Sequence, residues 1–489
     1  MTTQTKVEQG VPGVFSARTL LWILAGIVVV RFVSLGLYPL IDKTEARYAH
    51  IGELMVLTGN WITPQIELGV PFWAKPVLST WLTAIPLLVF GFNAFAARIS
   101  SFLIFVACGW LVFALADRLQ NRTFALVAAC IYASSGLMFY LGGTVMTDPA
   151  LLLGVTMTMA GYWQCVAEPN DRPRLWGYLF FVGVAIGLLA KGPIGAIIPG
   201  ISIVLWATHQ RRWMDSWSRL PWIGGILLVA VLVVPWYVAA EIRTPGFLRY
   251  FIVGEHFERF LVPNWNGDLY GSSRTVPFGT IWLFAFVGAL PWSGFVLGLL
   301  FRRDARRSVF SRVVINDPWV SYLIYWVLAP LLLFTFARNI LMTYAATSVP
   351  PLVLLTAHAL WRRQSSFDRY AFAAAAYGTP ALIVGLVAVS LIKPDFRALP
   401  TQFNIIETFK RVDDADKLVY IFQRPYSAAF YSHDETLLAR DNAQVQEFYD
   451  AGAKYFAIAK RSYARLMPDV KNRLDRVATE NDTLLLRRR

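Results

Sequence analysis

The sequence predicts an α-helical integral membrane protein with a small α/β domain at its C-terminal end. Three observations predict it. Of 489 residues, 56% are hydrophobic and 15% aromatic while only 16% are charged, which is the composition of a polytopic membrane chain rather than of several soluble domains. Apolar runs close to the length of a membrane span recur up to about residue 392, divided by short polar links that hold the arginine clusters. From 393 to 489 the chain turns polar with mixed charge. The expected domains are therefore 1–392 and 393–489, with a charged loop at 38–97 inside the first.

The formal net charge of +14 would suit a nucleic-acid binder, but the arginines sit in short clusters between apolar runs, and that pattern belongs to membrane topology. No nucleic-acid partner is expected. Cys108, Cys130 and Cys165 lie inside apolar segments with no CxxC pair and no metal spacing, so they read as packed thiols.

The chain is polar as far as Ser16. Arg18 opens an apolar run to about residue 38, and with no small-residue cleavage site before the next polar block it reads as an uncleaved first span. In the loop that follows, Glu45, Tyr48, Ile51, Leu54 and Met55 fall at helical spacing. They predict a helix over about 44–58, with Thr44 as N-cap and Gly59 and Pro64 ending it. Segment 76–92 is apolar but short, and Pro86 crosses it.

Charge decides whether 76–92 spans the membrane. If it does not, the later spans are about 98–116, 122–140, 148–166, 175–190, 193–208, 221–240, 277–301, 317–337, 342–360 and 371–392. The arginine-bearing loops between them then all fall on the side of the N-terminus, which the positive-inside rule makes cytoplasmic. If 76–92 did cross, every cluster would face outward. The reading is about eleven spans, in a fold of about 11–13 transmembrane helices, with 76–92 interfacial or re-entrant and the C-terminus outside. In the tail, Leu418–Phe422, Tyr455–Ala459 and Leu484–Leu486 read as buried strands. No Gly-rich phosphate loop or nucleophile elbow accompanies them, so the tail is expected to serve structure or docking.

The chemistry-bearing residues gather on the outer face of this topology. Asp42 and Glu45 lie just outside the membrane, where a desolvated carboxylate can take a proton from an acceptor; alternatively one caps the helix and the other pairs with Arg47. Arg47 and Lys75 are cations at headgroup depth, suited to a specific phosphate or to snorkelling onto ordinary phospholipid. Asp148, before Pro149, either starts a helix or faces the first loop. Lys191 breaks an apolar run ahead of Gly192 and Pro193, as a functional cation within the membrane or an interfacial one. Glu255, His256, Glu258 and Arg259 share the second large outer loop, where one His and two acids make a weak metal set and solvated charge is the alternative. Arg338 and Tyr344 bracket the last outer link, where Arg338 either reaches a sugar or phosphate or anchors the surface.

Glu45-Ala46-Arg47-Tyr48-Ala49, Gly59-Asn60-Trp61-Ile62-Thr63-Pro64, Lys75-Pro76, Trp81-Leu82 and Ala97-Arg98 carry a resemblance. Together they look like the first extracytoplasmic loop of the aminoarabinose (lipid A) transferase and protein mannosyltransferase group of polyprenyl-phosphate-sugar glycosyltransferases, which have the GT-C fold. Thr147-Asp148, Lys191-Gly192-Pro193, Glu255-His256, Glu258-Arg259-Phe260 and the stretch from Tyr344 to Pro351 continue the match over about 15–360. The tail resembles that group's C-terminal periplasmic domain.

The resemblance implies transfer of a sugar from an isoprenoid (undecaprenyl) phosphate carrier to an extracytoplasmic acceptor, first of all lipid A, at a bacterial inner membrane. By matching positions, Arg47, Tyr48 and Lys75 would hold the carrier phosphate, and Glu45 and Asp148 would be the acids nearest the transfer, with Asp42 competing with Glu45. Lys191, His256, Arg259, Arg338 and Tyr344 complete the candidate substrate-binding set. Two departures stand out: Thr44 occupies the place where the group often has an Asp, and Ala74 the place of an acid before the loop lysine. No cofactor is required on this reading, and a divalent metal that used the second acid lacks that ligand. A protein or other glycan acceptor, and a transporter of a lipid-linked saccharide, are the alternatives. Against transport, the later spans hold few charges and no internal repeat is evident.

Overall fold

The computed structural model describes residues 16–167, 172–258, 267, 269–270, 276–301, 316–363, 372, 374–378, 381–382, 385, 389, 400–412, 417–480 and 482–489. Helix α1 (Ala17–Ser34) starts at Ser16, whose side chain accepts from the Thr19 N–H. The charged loop forms α2 (Thr44–Thr58), a two-stranded ribbon of β1 (Gln65–Glu67) and β2 (Val70–Pro71), and α3 (Leu78–Phe90). The bundle continues with α4 (Ala94–Leu119), α5 (Arg122–Ser134), α6 (Gly136–Leu141), α7 (Asp148–Tyr162), α8 (Pro173–Lys191), α9 (Ile194–Gln210), α10 (Trp213–Arg219) and α11 (Trp222–Arg243).

One local expectation is corrected. Thr44 is the first helical residue rather than the cap, and Lys43 precedes it with no side-chain cap bond. The Glu45 carboxylate, one residue inside the helix, instead accepts the Ile41 N–H at 3.0 Å. Gly59 does end the helix, in the left-handed conformation that glycine adopts without strain.

Among the described residues five helices are long and apolar enough to cross a membrane: α1, α4, α8, α11 and Pro318–Thr335. A sixth crossing counts Thr280–Gly288 and Trp292–Gly298 together, and these meet at a 105° bend. The run expected as one span over 277–301 is therefore broken, at Leu290-Pro291. The run over 122–140 is also broken, between α5 and α6, and the one over 342–360 begins as a 3-10 turn, Met342–Ser348, before Val349–Arg363. Among the described residues, Pro and Gly interrupt the hydrogen-bond ladder inside several runs that stay apolar. The expected span at 371–392 lies mostly outside the described residues. Helix α3 has 13 residues and so reaches only about 20 Å at 1.5 Å per residue, short of a bilayer. It buries Ser79, Thr80 and Thr83 and exposes Ile85, Leu88, Val89 and Phe90, the inverted amphipathicity of a helix against lipid.

The closest helix packing sets the site. Gly154 and Gly161 of α7 face Gly187 and Phe180 of α8 so tightly that a Cβ on Gly154 would stand 2.7 Å from the Gly187 nitrogen. Only bare backbones fit there. The helices run antiparallel, so the N-terminal Asp148 of α7 meets the C-terminal Lys191 of α8.

The tail folds around a five-stranded sheet of order β4-β3-β5-β7-β6. Its strands are β3 (Leu418–Ile421), β4 (Leu437–Ala439), β5 (Tyr455–Ala459), β6 (Leu474–Glu480) and β7 (Thr483–Arg488). β3 is parallel to β4 and β5, and β7 is antiparallel to β5 and β6. Alternate side chains fill two cores. Val419, Ile421, Phe456 and Ile458 pack with Val445 and Tyr449, while Leu418, Tyr420, Tyr455 and Ala457 pack with Ile405, Ile406 and Phe409. The expected boundary at 392–393 falls outside the described residues.

Candidate active site

The tail docks on the charged loop through three anchors. Asp42 accepts the Ser427 N–H at 3.0 Å on one carboxylate oxygen and the Ser427 hydroxyl on the other, while its own N–H donates to the Pro400 carbonyl at 2.7 Å. Burial raises the Asp42 pKa above the usual carboxylate value, and the two Ser427 donors only partly oppose this. The Leu40 N–H donates to the Tyr431 hydroxyl at 2.7 Å. Glu53, with no exposed surface, lies between His50 Nδ1 at 3.0 Å and His433 Nδ1 at 2.8 Å.

Glu45 meets a demand inside the fold. Arg98 of α4 is fully buried and donates to both Glu45 oxygens, from Nε at 2.8 Å and Nη2 at 2.9 Å. Its remaining N–H groups reach the carbonyls of Leu35, Tyr38 and Pro39. The Val145 N–H also points at Glu45 Oε1, at 3.4 Å. A carboxylate so occupied, with two donors on each oxygen, holds α2 to α4 and to the link before α7. Asp42 takes one Ser427 donor on each oxygen.

What remains is a cluster around Tyr48. Its half-buried phenol interacts with the charges of Arg47, Asp148, Lys191 and Glu255, and burial raises its pKa above the usual tyrosine value. Arg47 Nη1 donates to the Tyr270 carbonyl at 3.2 Å, and the guanidinium lies 5.2 Å from the Tyr48 ring and 6.0 Å from Phe72. It has no carboxylate partner among the described residues, and its buried Nε has no hydrogen bond. Lys75 Nζ donates to Glu255 Oε2 at 3.0 Å and to the Ala74 carbonyl, with Tyr250 on the other Glu255 oxygen at 3.3 Å. Lys191 Nζ donates to Asp148 Oδ1 at 2.7 Å and stands 3.9 Å over the Tyr344 ring. Asp148 Oδ2 takes no hydrogen bond among the described residues.

The π-helical turn Arg249–Glu258 braces the lysine. His256 Nδ1 faces the Phe251 carbonyl at 2.7 Å and Nε2 the Lys191 carbonyl at 3.3 Å. Burial lowers the imidazole pKa below its usual value. Gly192 makes this possible: its φ is +73°, and a Cβ there would lie 2.5 Å from the Phe251 ring.

The structure thus gathers Arg47, Tyr48, Lys75, Asp148, Lys191, His256 and Tyr344. Arg338 makes none of these contacts; it is exposed, with its guanidinium 4.3 Å from the Phe278 ring. Arg259 lies outside the described residues. Glu255, read from the sequence as a weak metal ligand or as solvated loop charge, is the counter-ion of Lys75, and Arg98 is that of Glu45. Their signals were the pairs Glu255-His256 and Ala97-Arg98, each too short to assign a partner. Among the described residues no three His, Cys, Asp or Glu side chains come together as a metal set.

These features define a multi-pass helical membrane protein that carries a buried cluster of cations and acids under a docked α/β unit. Comparison with known proteins adds the GT-C fold. The model of the dolichyl-phosphate-mannose-protein mannosyltransferase family matches residues 14–251. An undecaprenyl phosphate-alpha-4-amino-4-deoxy-L-arabinose arabinosyl transferase of Erwinia tasmaniensis is 31% identical over 67% of the chain, and one of Pseudomonas paraeruginosa 32% identical over 73%. The matched part spans only 56% and 63% of those relatives' own length. ArnT from Cupriavidus metallidurans, crystallised with undecaprenyl phosphate, superposes with a TM-score of 0.73 at 18% identity, over 96% of this chain and 98% of that one. The chain thus shares its fold with the Cupriavidus protein, and just under half of it matches the protein mannosyltransferase family model.

Proposed function

We propose that the chain transfers a sugar from an undecaprenyl-phosphate carrier to an extracytoplasmic acceptor, most directly lipid A. The observation that carries this reading is the convergence on Tyr48 of one cation without a carboxylate partner among the described residues, Arg47, and two lysine–carboxylate pairs. A phosphate at headgroup depth supplies the charge that Arg47 lacks. The names of the Erwinia and Pseudomonas relatives, and the ligand of the Cupriavidus protein, point to the same carrier.

In the proposed step an acceptor oxygen bonds to the anomeric carbon while the bond from that carbon to the phosphate oxygen breaks. The electron pair leaves on the carrier phosphate. Arg47 and Lys75 stabilise the charge that grows there. Asp148 takes the acceptor proton on Oδ2 while Oδ1 stays on Lys191. Tyr48 lines the phosphate pocket, Tyr344 and His256 hold Lys191 in place, and exposed Arg338 meets an anionic acceptor at the surface. Glu45 and Asp42 position α2 and the tail rather than acting on the acceptor. No cofactor is assigned, because the acids nearest the cations already face lysines. The arginine distribution favours a bacterial inner membrane location with the N-terminus cytoplasmic and the α/β domain periplasmic.

The test is mass spectrometry of lipid A and envelope glycans from cells with the protein, without it, and with Lys75→Ala. A sugar increment on lipid A that both controls lose is expected. Unchanged lipid A with an accumulating lipid-linked sugar would move the acceptor elsewhere, and no change in any glycan would overturn the reading.

A further inference from the structure

We infer that Arg31 and Tyr38 are positioning residues of the transfer site, fixing the link that delivers Asp148 without touching the reacting groups. The inference rests on the reading that Asp148 serves the transfer. Arg31 lies in apolar α1, is only 4% exposed, and has no carboxylate partner among the described residues. Burying such a charge is costly, and a well-packed apolar side chain would hold α1 in place at least as well. The fold therefore uses this guanidinium for something besides packing.

Its contacts show where. Nη1 donates to Ser34 Oγ and Nη2 to Tyr38 Oη, each at 3.3 Å, and the guanidinium stands 5.0 Å from the Phe139 ring. It rests on Gly143, where a Cβ would come within 1.3 Å of Nη2, so only glycine admits it. The Tyr38 hydroxyl, polarised by the cation behind it, donates to the Gly143 carbonyl at 3.1 Å. The guanidinium of Arg98 covers the Tyr38 ring at 3.9 Å.

Successive peptide groups of the link are held in turn. The Thr144 carbonyl accepts from Ser101 Oγ at 2.7 Å, and the Val145 N–H donates to Glu45 Oε1. The Thr147 carbonyl then takes the Leu151 N–H at 3.3 Å, and α7 begins with Asp148. Three residues of backbone are thus gripped from three sides, and the carboxylate that follows inherits their placement. Arg31 sets the first grip through Tyr38.

The test compares Tyr38→Phe and Arg31→Lys with wild type in purified full-length protein, using a polyprenyl-phosphate sugar and lipid A. Tyr38→Phe removes one hydroxyl and keeps the ring under Arg98, so folding should hold and the melting temperature stay close to wild type. The expected result in both variants is a kcat lower by about tenfold, the scale of a sub-ångström misplacement, with the KM for the donor unchanged. A kcat within twofold of wild type in Tyr38→Phe overturns the inference. So does a lower melting temperature with normal kcat per folded molecule, which is what a merely structural role predicts, or a rise in KM matching the fall in kcat, which would put the residues in binding. A wild-type protein that transfers no sugar refutes the proposed function itself, before any variant is compared.

Discussion

Glu45→Gln separates a carboxylate that positions from one that reacts. The substitution keeps the shape and removes the carboxylate that, among the described residues, pairs with the fully buried Arg98. In either orientation the new amide turns its NH2 toward donors, Arg98 Nη2 and the Ile41 N–H at the Oε2 position or Arg98 Nε and the Val145 N–H at the Oε1 position. Breaking a buried ion pair from one side costs about 3–5 kcal/mol. With an unfolding entropy of about 2.1 cal/mol/K per residue, a chain of 489 residues loses roughly 1 kcal/mol of stability per degree near its midpoint. Thermal unfolding in detergent should therefore move down by about 3–5 °C. Well below that temperature kcat should fall by no more than about tenfold, against the 10²–10⁴ typical of a lost acid or base. An unchanged midpoint with a thousandfold loss of kcat would refute the reasoning and make Glu45 the residue that acts on the acceptor.

Asp148→Asn should lower kcat by about 10²–10⁴ while polyprenyl phosphate still binds, measured by single-turnover transfer and by carrier titration; normal turnover would remove Asp148 from the mechanism. Glu53→Gln weakens the bonds to His50 and His433 by about 1.5–3 kcal/mol, so hydrogen exchange in the docking helix Tyr426–Tyr431 should quicken. Equal protection would show that Asp42 and Tyr431 suffice. His256 gives a pH dependence whose sign follows from burial. The unfolded chain takes up a proton as pH falls through 6.5, whereas the folded chain does so only at lower pH. The unfolded state then binds more protons, so stability should drop between pH 6.5 and the lower folded value. His256→Gln should flatten that part of the melting curve against pH, and parallel curves for the two proteins would contradict it.

Much of the fold was legible because it rests on local patterns. Helical spacing from Glu45 to Met55 and the turn at Gly59 gave α2 its observed bounds, Thr44–Thr58. The apolar runs at Leu418, Tyr455 and Leu484 became the three central strands, since a strand covered on both faces reads as a continuous run. Strand β6 was missed because an edge strand with Arg476 and Glu480 lacks that run, and β4 because it has three residues. Interruptions inside apolar segments, at Ser135 and Pro291, are invisible to hydropathy. The site was legible in its cations, which are conspicuous in an apolar chain. Its pairings were not: Glu45 with Arg98, Lys75 with Glu255 and Asp42 with Ser427 join residues that only the packed bundle and tail bring together. Arg31 gave no sequence signal, since one cation near a helix end is the ordinary anchor at a membrane surface.

The most direct test of the central claim is to reconstitute the purified protein in liposomes with a polyprenyl-phosphate sugar and lipid A, then measure released carrier phosphate against sugar gained by lipid A. The account predicts equal amounts of the two, abolished by Arg47→Ala with Lys75→Ala. Movement of the intact sugar lipid to the other leaflet, with no carrier phosphate released, would contradict transfer and make the protein a transporter.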